Sequence, residues 1–319
     1  MLDTPIRFGT LTLKNRLVMP PMHTGKSDAG RVTPQLAEYY HDRAAYSAPG
    51  LIVMEHSAVT EGGHASESQL LISDDTLIEG HRQLTEAIHT GGSRVIAQLN
   101  HAGSNGYRDC VSASDVPNPR GEGRAPRPLT VEEIRAVEDA FAAAAVRALR
   151  AGYDGVEIHC AHGYLLNQFY SPLTNRRTDA YGGCLENRLR ITLETYEKVR
   201  AAVGADVPVA VRLGGADYLP GGSTIADAVA AAKLLAAAGA DLIDLSGGMC
   251  GFVLKDRAEA GYFSDLSEAV RAAVDVPVLL TGGVHTVSEA ETLLTAGKAD
   301  LIGVGRALLR DAHWRENNP

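Results

Sequence analysis

The chain has 319 residues, 39 acidic and 30 basic, for a formal charge of −9, which leaves no basic footprint for nucleic acid. It has no apolar run of about eighteen residues and no signal-peptide pattern at its start, so a cytoplasmic protein without a membrane partner is expected. The four cysteines (Cys110, Cys160, Cys184, Cys250) are scattered without a Cys-x-x-Cys, so free thiols are expected and no metal or iron–sulfur site.

Pro5 to Arg16 reads as a small hairpin turning at Gly9-Thr10. Leu17 to Met19 is a short buried strand. Thr33 then caps a helix with Pro34 at its first position, running to about Ser47, where Pro49-Gly50 stops it. Leu51 to Glu55 is a second strand. A helix from about Asp75 to Thr90 closes on Gly91-Gly92, and Arg94 to Leu99 is the third strand. Asn100 to Leu129 is long, irregular and rich in Gly, Pro, Ser and Arg, so it reads as a lid loop. Its arginines (Arg108, Arg120, Arg124, Arg127) read mainly as a solvated surface.

Thr130 and Glu133 form a capping box before an Ala-rich helix to Arg150. Gly155 to His159 is the fourth strand. Four more pairs follow: helix from Glu186 to about Val203 with strand Pro208 to Leu213, and helix Thr224 to Ala238 with strand Asp241 to Leu245. Helix Leu266 to Val274 precedes strand Pro277 to Thr281, and helix Val287 to Ala296 precedes strand Asp300 to Val304. The strands are short and apolar, as strands buried on both faces are. Eight strand–helix units predict an α/β TIM barrel, with residues 1–319 as one domain. An open doubly wound sheet is the alternative, but no Gly-x-Gly-x-x-Gly opens the first helix.

In such a barrel the site lies at the C-terminal ends of the strands. The fourth strand ends in His159, and His162 and Tyr164 follow, with Gly163 allowing a sharp turn. Core packing asks for no such run of polar tips. The seventh and eighth strands end in Gly282-Gly283 and Gly303-Val304-Gly305-Arg306. Bare backbone and an arginine fork there read as a phosphate cradle. With polar groups on strands three and five, this suggests a phosphorylated cofactor across the barrel mouth.

The chain resembles the Old Yellow Enzyme family of FMN-dependent oxidoreductases. The resemblance rests on KNRLVMPPM (Lys14 to Met22), AQLNHAG (Ala97 to Gly103), AGYDGVEIHCAHGYLLNQF (Ala151 to Phe169), NRRTDAYGG (Asn175 to Gly183), ENR (Glu186 to Arg188), VRL (Val211 to Leu213) and VGRALL (Val304 to Leu309). It implies FMN lined by Pro21, Met22 and His23, with Gln98 on the pyrimidine edge and Arg212 beside N1 and O2. Gly282, Gly283, Gly305 and Arg306 are implied for the phosphate. His159 and His162 correspond to the pair that binds the substrate oxygen, and Tyr164 to the proton donor. The implied activity is ping-pong: NADH or NADPH reduces the flavin, a small unsaturated carbonyl or nitro compound takes the hydride from N5, and Tyr164 protonates it.

Some features depart from the family pattern. The stretch MHTG (Met22 to Gly25) resembles the 2,4-dienoyl-CoA reductase branch. The chain carries neither that branch's iron–sulfur cysteines nor its second flavin domain, and SGGMCGF (Ser246 to Phe252) lacks its catalytic histidine. Ser104 stands where an arginine often follows HAG. A metal-dependent hydrolase using His101, His159 and Asp217, and a non-catalytic flavin-binding protein, are the alternative readings. A homo-oligomer is left open.

Overall fold

The computed structural model describes residues 1–121 and 123–319. Glu122, within the lid stretch, lies outside the described residues. Eight short strands form the centre: β1 (Leu17–Met19), β2 (Leu51–Val53), β3 (Arg94–Asn100), β4 (Gly155–Cys160), β5 (Val209–Ala216), β6 (Leu242–Gly247), β7 (Val278–Thr281) and β8 (Leu301–Gly303). Each pairs in parallel with the next, and β8 pairs with β1, closing a TIM barrel. Almost every strand residue is buried, because helices cover the outside while side chains fill the inside.

The lower interior is apolar. Val18, Leu51, Val53, Ile96, Ala210, Leu242, Leu279 and Leu301 cluster with Phe8, Leu11 and Leu13 of the N-terminal hairpin. The hairpin strands Ile6–Phe8 and Leu11–Leu13 pair antiparallel across Gly9-Thr10, with Gly9 at φ +52°. A two-residue loop of this kind requires positive φ, which glycine supplies without strain. The hairpin therefore floors the barrel. Removing one such fully buried leucine or phenylalanine from water contributes about 1.5–3 kcal/mol.

The helices start where their caps dictate. Thr33 Oγ1 accepts from Leu36 N at the head of α1 (Pro34–Asp42), which widens into one π turn and ends on left-handed Ala48. A single 3-10 turn, Asp75–Leu77, leads into α2 (Ile78–Thr90). Full capping boxes open α3 (Val131–Arg150), where Thr130 and Glu133 satisfy each other's backbone donors. A short α4 (Leu165–Tyr170) follows β4, and α5 spans Leu185–Val203. Capping boxes also open α6 (Ile225–Ala237) and α8 (Val287–Thr295); α7 spans Ser264–Arg271. After β8 come α9 (Arg306–Arg310) and α10 (Trp314–Asn317), which buries Trp314.

Three local expectations need correction. α4 is absent from the sequence reading. All six of its residues are buried, so it shows no amphipathic period to detect. β2 ends at Val53 rather than Glu55. Glu55 leaves the ladder to accept hydrogen bonds from Thr24 N, Thr24 Oγ1 and Tyr40 Oη, and the chain rejoins β3 at Ser57–Ala58. The Asn100–Leu129 stretch is not structureless. It holds a 3-10 turn at Gly103–Asn105 and a parallel pairing of Val111–Ser112 with Arg127–Pro128, and Arg127 forks onto Glu133 at 2.8 Å twice.

Candidate active site

A cavity of about 290 Å³ opens at the C-terminal end of the barrel. Every residue expected for the site lines it. Pro21, Met22 and His23 come from the segment after β1, Gln98 from β3, and His159, His162 and Tyr164 from β4 and its turn. Arg212 comes from β5, Gly282 and Gly283 follow β7, and Gly305 and Arg306 follow β8. The other lining residues, which the sequence reading left without a role, include His56, Phe252, Tyr262 and Thr281. His56 stands at a strand end and was visible there. Phe252 and Tyr262 sit in the loop after β6, which has no periodicity, and meet through Tyr262 Oη donating to Phe252 O at 2.6 Å.

The turn after β4 is tightly held. His162 and Gly163 are consecutive left-handed residues, φ +59° and +72°. For a non-glycine residue this conformation costs roughly 1–2 kcal/mol, so the surroundings must enforce it. His162 N donates to Gly247 O, and Gly163 N donates to Asn167 Oδ1 on α4. Gly163 O accepts from Asn105, Asn118 and Gln168 at 3.0, 2.8 and 2.7 Å. The loop after β3 and the buried helix α4 thus clamp one carbonyl in the turn.

The result is a close cluster of rings. His159 lies 5.1 Å from His162 and 5.2 Å from Tyr164, centroid to centroid. Burial, then the Arg212 charge, pushes both histidines well below the usual imidazole range. Both are therefore neutral near pH ~7, each carrying one N–H. His162 Nε2 is 2.7 Å from Ser246 Oγ, while His159 Nδ1 is buried with no hydrogen-bond partner among the described residues. Burial raises the Tyr164 phenol, against the opposing charge of Arg120, so it keeps its proton. Tyr164 Oη lies 3.5 Å from His56 Nε2.

Below the rings the barrel is polar. Gln98 Nε2 donates to Glu157 Oε2 at 2.6 Å, which leaves the amide oxygen for a ligand. Arg212 is 3 % exposed, and its Nε is 3.1 Å from Asp244 Oδ2. The two are close enough to attract but misaligned for a hydrogen bond, so Nε and both carboxylate oxygens lack hydrogen-bond partners among the described residues. Burial raises Glu157 and Asp244 together; the neighbouring carboxylate adds to the rise at Glu157, and Arg212 restrains Asp244. His23 has both ring nitrogens engaged, Nδ1 3.3 Å from Glu55 Oε2 and Nε2 3.1 Å from Ser68 Oγ.

The far end of the cavity is bare backbone. Gly283 has φ +68°, and a side chain there would meet Glu259 O and Tyr262 at 2.8 Å. At Gly305 a Cβ would stand 3.4 Å from Met22 Sδ and 3.6 Å from Pro20 Cγ, inside the cradle. Arg306, exposed, begins α9.

The residues of the metal-hydrolase reading do not assemble. Asp217 is taken by Ser171 Oγ, Ser223 N and Met249 N at 2.6, 2.8 and 2.7 Å, bracing the loops after β5 and β6. His101 Nδ1 accepts from Gly103 N, and burial pushes this imidazole down to about 4. Among the described residues no group of three or more His, Cys, Asp or Glu is placed to hold a metal ion.

The model of the NADH:flavin oxidoreductase / NADH oxidase family matches residues 1–317. The chain belongs to that family. It is 38% identical over 319 residues to the metal reductase of Desulforamulus reducens, covering 98% of this chain but 47% of that protein. The chain therefore spans about half the length of that relative. To the NADPH dehydrogenase of Bacillus subtilis it is 39% identical, covering 97% of this chain and 91% of that one. The solved Old Yellow Enzyme homologue of Zymomonas mobilis superposes with a TM-score of 0.85 at 31% identity, covering 98% of this chain and 90% of that structure. Among the described residues no helix is long and apolar enough to cross a membrane.

FMN is the cofactor of this family. The shape and donors of the cavity fit it. The bare Gly283 and Gly305 cradle, with Arg306 beside it, suits a phosphate. Thr281 Oγ1, and Arg212 Nε beyond its misaligned contact with Asp244, are buried polar atoms with no hydrogen-bond partner among the described residues. Such atoms cost about 1–3 kcal/mol each unless a ligand satisfies them.

Proposed function

We propose that the protein reduces activated C=C bonds, in α,β-unsaturated carbonyl or nitro compounds, at the expense of NADH or NADPH. Bound FMN would supply the hydride chemistry, accepting from the nicotinamide and delivering to the alkene, with the two reactants using one cavity in turn. Arg306, Gly282, Gly283 and Gly305 hold its phosphate. Gln98 and Arg212 meet its pyrimidine edge, where the guanidinium offsets negative charge, and Pro21, Met22 and His23 line one side.

The observation that carries this reading is the ring cluster. Two neutral imidazoles and a protonated phenol share one wall of a cavity that no carboxylate lines among the described residues. His159 and His162 donate N–H bonds to the substrate oxygen and stabilise the charge that develops there. A neutral imidazole donates without repelling Arg212, which is why burial of both rings serves the role. Tyr164 holds the proton for the substrate α-carbon. A phenol keeps that proton at neutral pH and needs no activation before giving it up.

The test uses purified protein under anaerobic conditions. A flavin absorbance band should bleach on adding NADH or NADPH and return on adding cyclohexenone, a maleimide or a nitroalkene. Bleaching with no return for any acceptor would leave a flavin-binding protein without this activity.

A further inference from the structure

We propose that His56 is the positioning residue and proton conduit of Tyr164, its Nε2–H donating to the phenol oxygen and its Nδ1 side drawing protons from solvent. This rests on the proposed role of Tyr164 and extends it to a residue on another strand.

The geometry comes from the break in β2. Glu55 leaves the ladder for its hydrogen bonds to Thr24 and Tyr40, and the next residue, His56, swings to the cavity wall. Its ring sits 5.4 Å from that of Tyr164 at 34°, and Nε2 is 3.5 Å from Tyr164 Oη. That distance is long for a hydrogen bond. Catalytic bonds commonly tighten only once substrate is bound. His56 is the one protein group in hydrogen-bond range of the phenol oxygen among the described residues. The backbone fixes its place, since His56 O accepts from Gln69 Nε2 at 3.2 Å. His56 is half-buried as a residue, and its Nδ1 has no protein partner among the described residues.

The groups facing His56 are Tyr164 and His159 from the β4 side, His23 from after β1, and Arg212 on β5. Burial, then the His23 and Arg212 charges, pushes its imidazole down to about 3. It is therefore neutral, with a single N–H to place. On Nε2 that hydrogen points at the phenol oxygen and leaves the phenol O–H free for the substrate.

The proton balance closes. The Tyr164 O–H bond breaks as the C–H bond forms on the substrate α-carbon, leaving a phenolate. The His56 Nε2–H then passes to that oxygen while water gives a proton to Nδ1. One proton has moved from solvent to product. The ring returns to its starting tautomer by exchange with solvent before the next turnover.

The experiment compares His56→Ala, His56→Gln, Tyr164→Phe and the double variant Tyr164→Phe/His56→Ala as FMN-loaded enzymes in stopped flow. With cyclohexenone, His56→Ala should slow flavin reoxidation by about 10-fold or more, while reduction by NAD(P)H holds within about twofold. Gln presents an N–H to the phenol but cannot relay a proton. His56→Gln should therefore keep the position of the alkaline limb of the pH–rate profile yet lose rate. His56→Ala should move that limb up by about one pH unit, because a hydrogen bond to the phenolate is gone. Added imidazole should restore part of the rate in His56→Ala. The double variant should be no slower than Tyr164→Phe alone, because both act through one proton. Full rate in both His56 variants, or additive losses in the double variant, overturns the conduit while leaving Tyr164 as donor. Undiminished reoxidation in Tyr164→Phe would overturn the donor itself.

Discussion

Tyr164→Phe separates chemistry from architecture at a single atom. Among the described residues the phenol oxygen has one protein neighbour in range, His56 Nε2 at 3.5 Å. A contact that long contributes less than about 1 kcal/mol, so the melting temperature should move by no more than about 2–4 °C. The ring stays, and with it the packing against His159 at 5.2 Å. The lost proton should cost far more. A positioned general acid is worth about 10²–10⁴ in rate, which is about 3–5 kcal/mol of barrier. The assay is anaerobic stopped flow on each half of the cycle. Flavin reduction by NAD(P)H needs no proton from this phenol and should be unchanged. Reoxidation by cyclohexenone should fall by that factor. A nitroalkene should suffer less, because its nitronate product leaves unprotonated. Equal losses in both halves would refute the reasoning and make Tyr164 a residue that shapes the cavity.

Arg306→Ala should weaken FMN retention by about 10-fold, the low end for a charge-assisted bond because Arg306 is exposed; unchanged retention on dialysis would place the phosphate elsewhere. Replacing His159 and His162 by Ala should weaken binding of phenols, read from their charge-transfer band on the bound flavin, and full affinity in the double variant would remove the pair from the site. Stability should fall on acidification. Five histidines (His56, His81, His101, His159, His162) have lowered values in the fold, so the unfolded chain binds their protons first as pH drops below about 6.5. Three carboxyls (Glu138, Glu157, Asp244) are raised and act in the opposite sense. Five against three leaves a net loss, each uncompensated group contributing up to about 1.4 kcal/mol per pH unit. Urea unfolding at pH ~5.5 and ~7 measures it, and equal or greater stability at the lower pH would contradict the balance.

The barrel was legible because its strands are buried on both faces and read as short apolar runs between glycine turns. Helix starts were legible where caps are written out, as at Thr33, Thr130 and Thr224. α4 was not, because complete burial erases the period. The inner end of β2 was misread because Glu55 obeys partners far away in sequence, Thr24 and Tyr40, rather than its own strand. The site residues could be named from strand ends and from family motifs. Their supports could not, since the bond of His162 to Ser246 and the approach of His56 to Tyr164 span 84 and 108 residues. Phe252 and Tyr262 stand in a loop without a repeating pattern, so nothing local marks them as cavity walls.

The Gly163 carbonyl has two lone pairs and three claimants, one from α4 and two from the loop after β3. Asn105 and Asn118 belong to the stretch an engineer would vary first to change substrate scope. Each of them also holds the peptide between His162 and Tyr164. Diversifying that loop is therefore not independent of the chemistry. A library that spares Asn105 and Asn118 should explore new substrates on a fixed reaction centre, and one that includes them will vary scope and rate together.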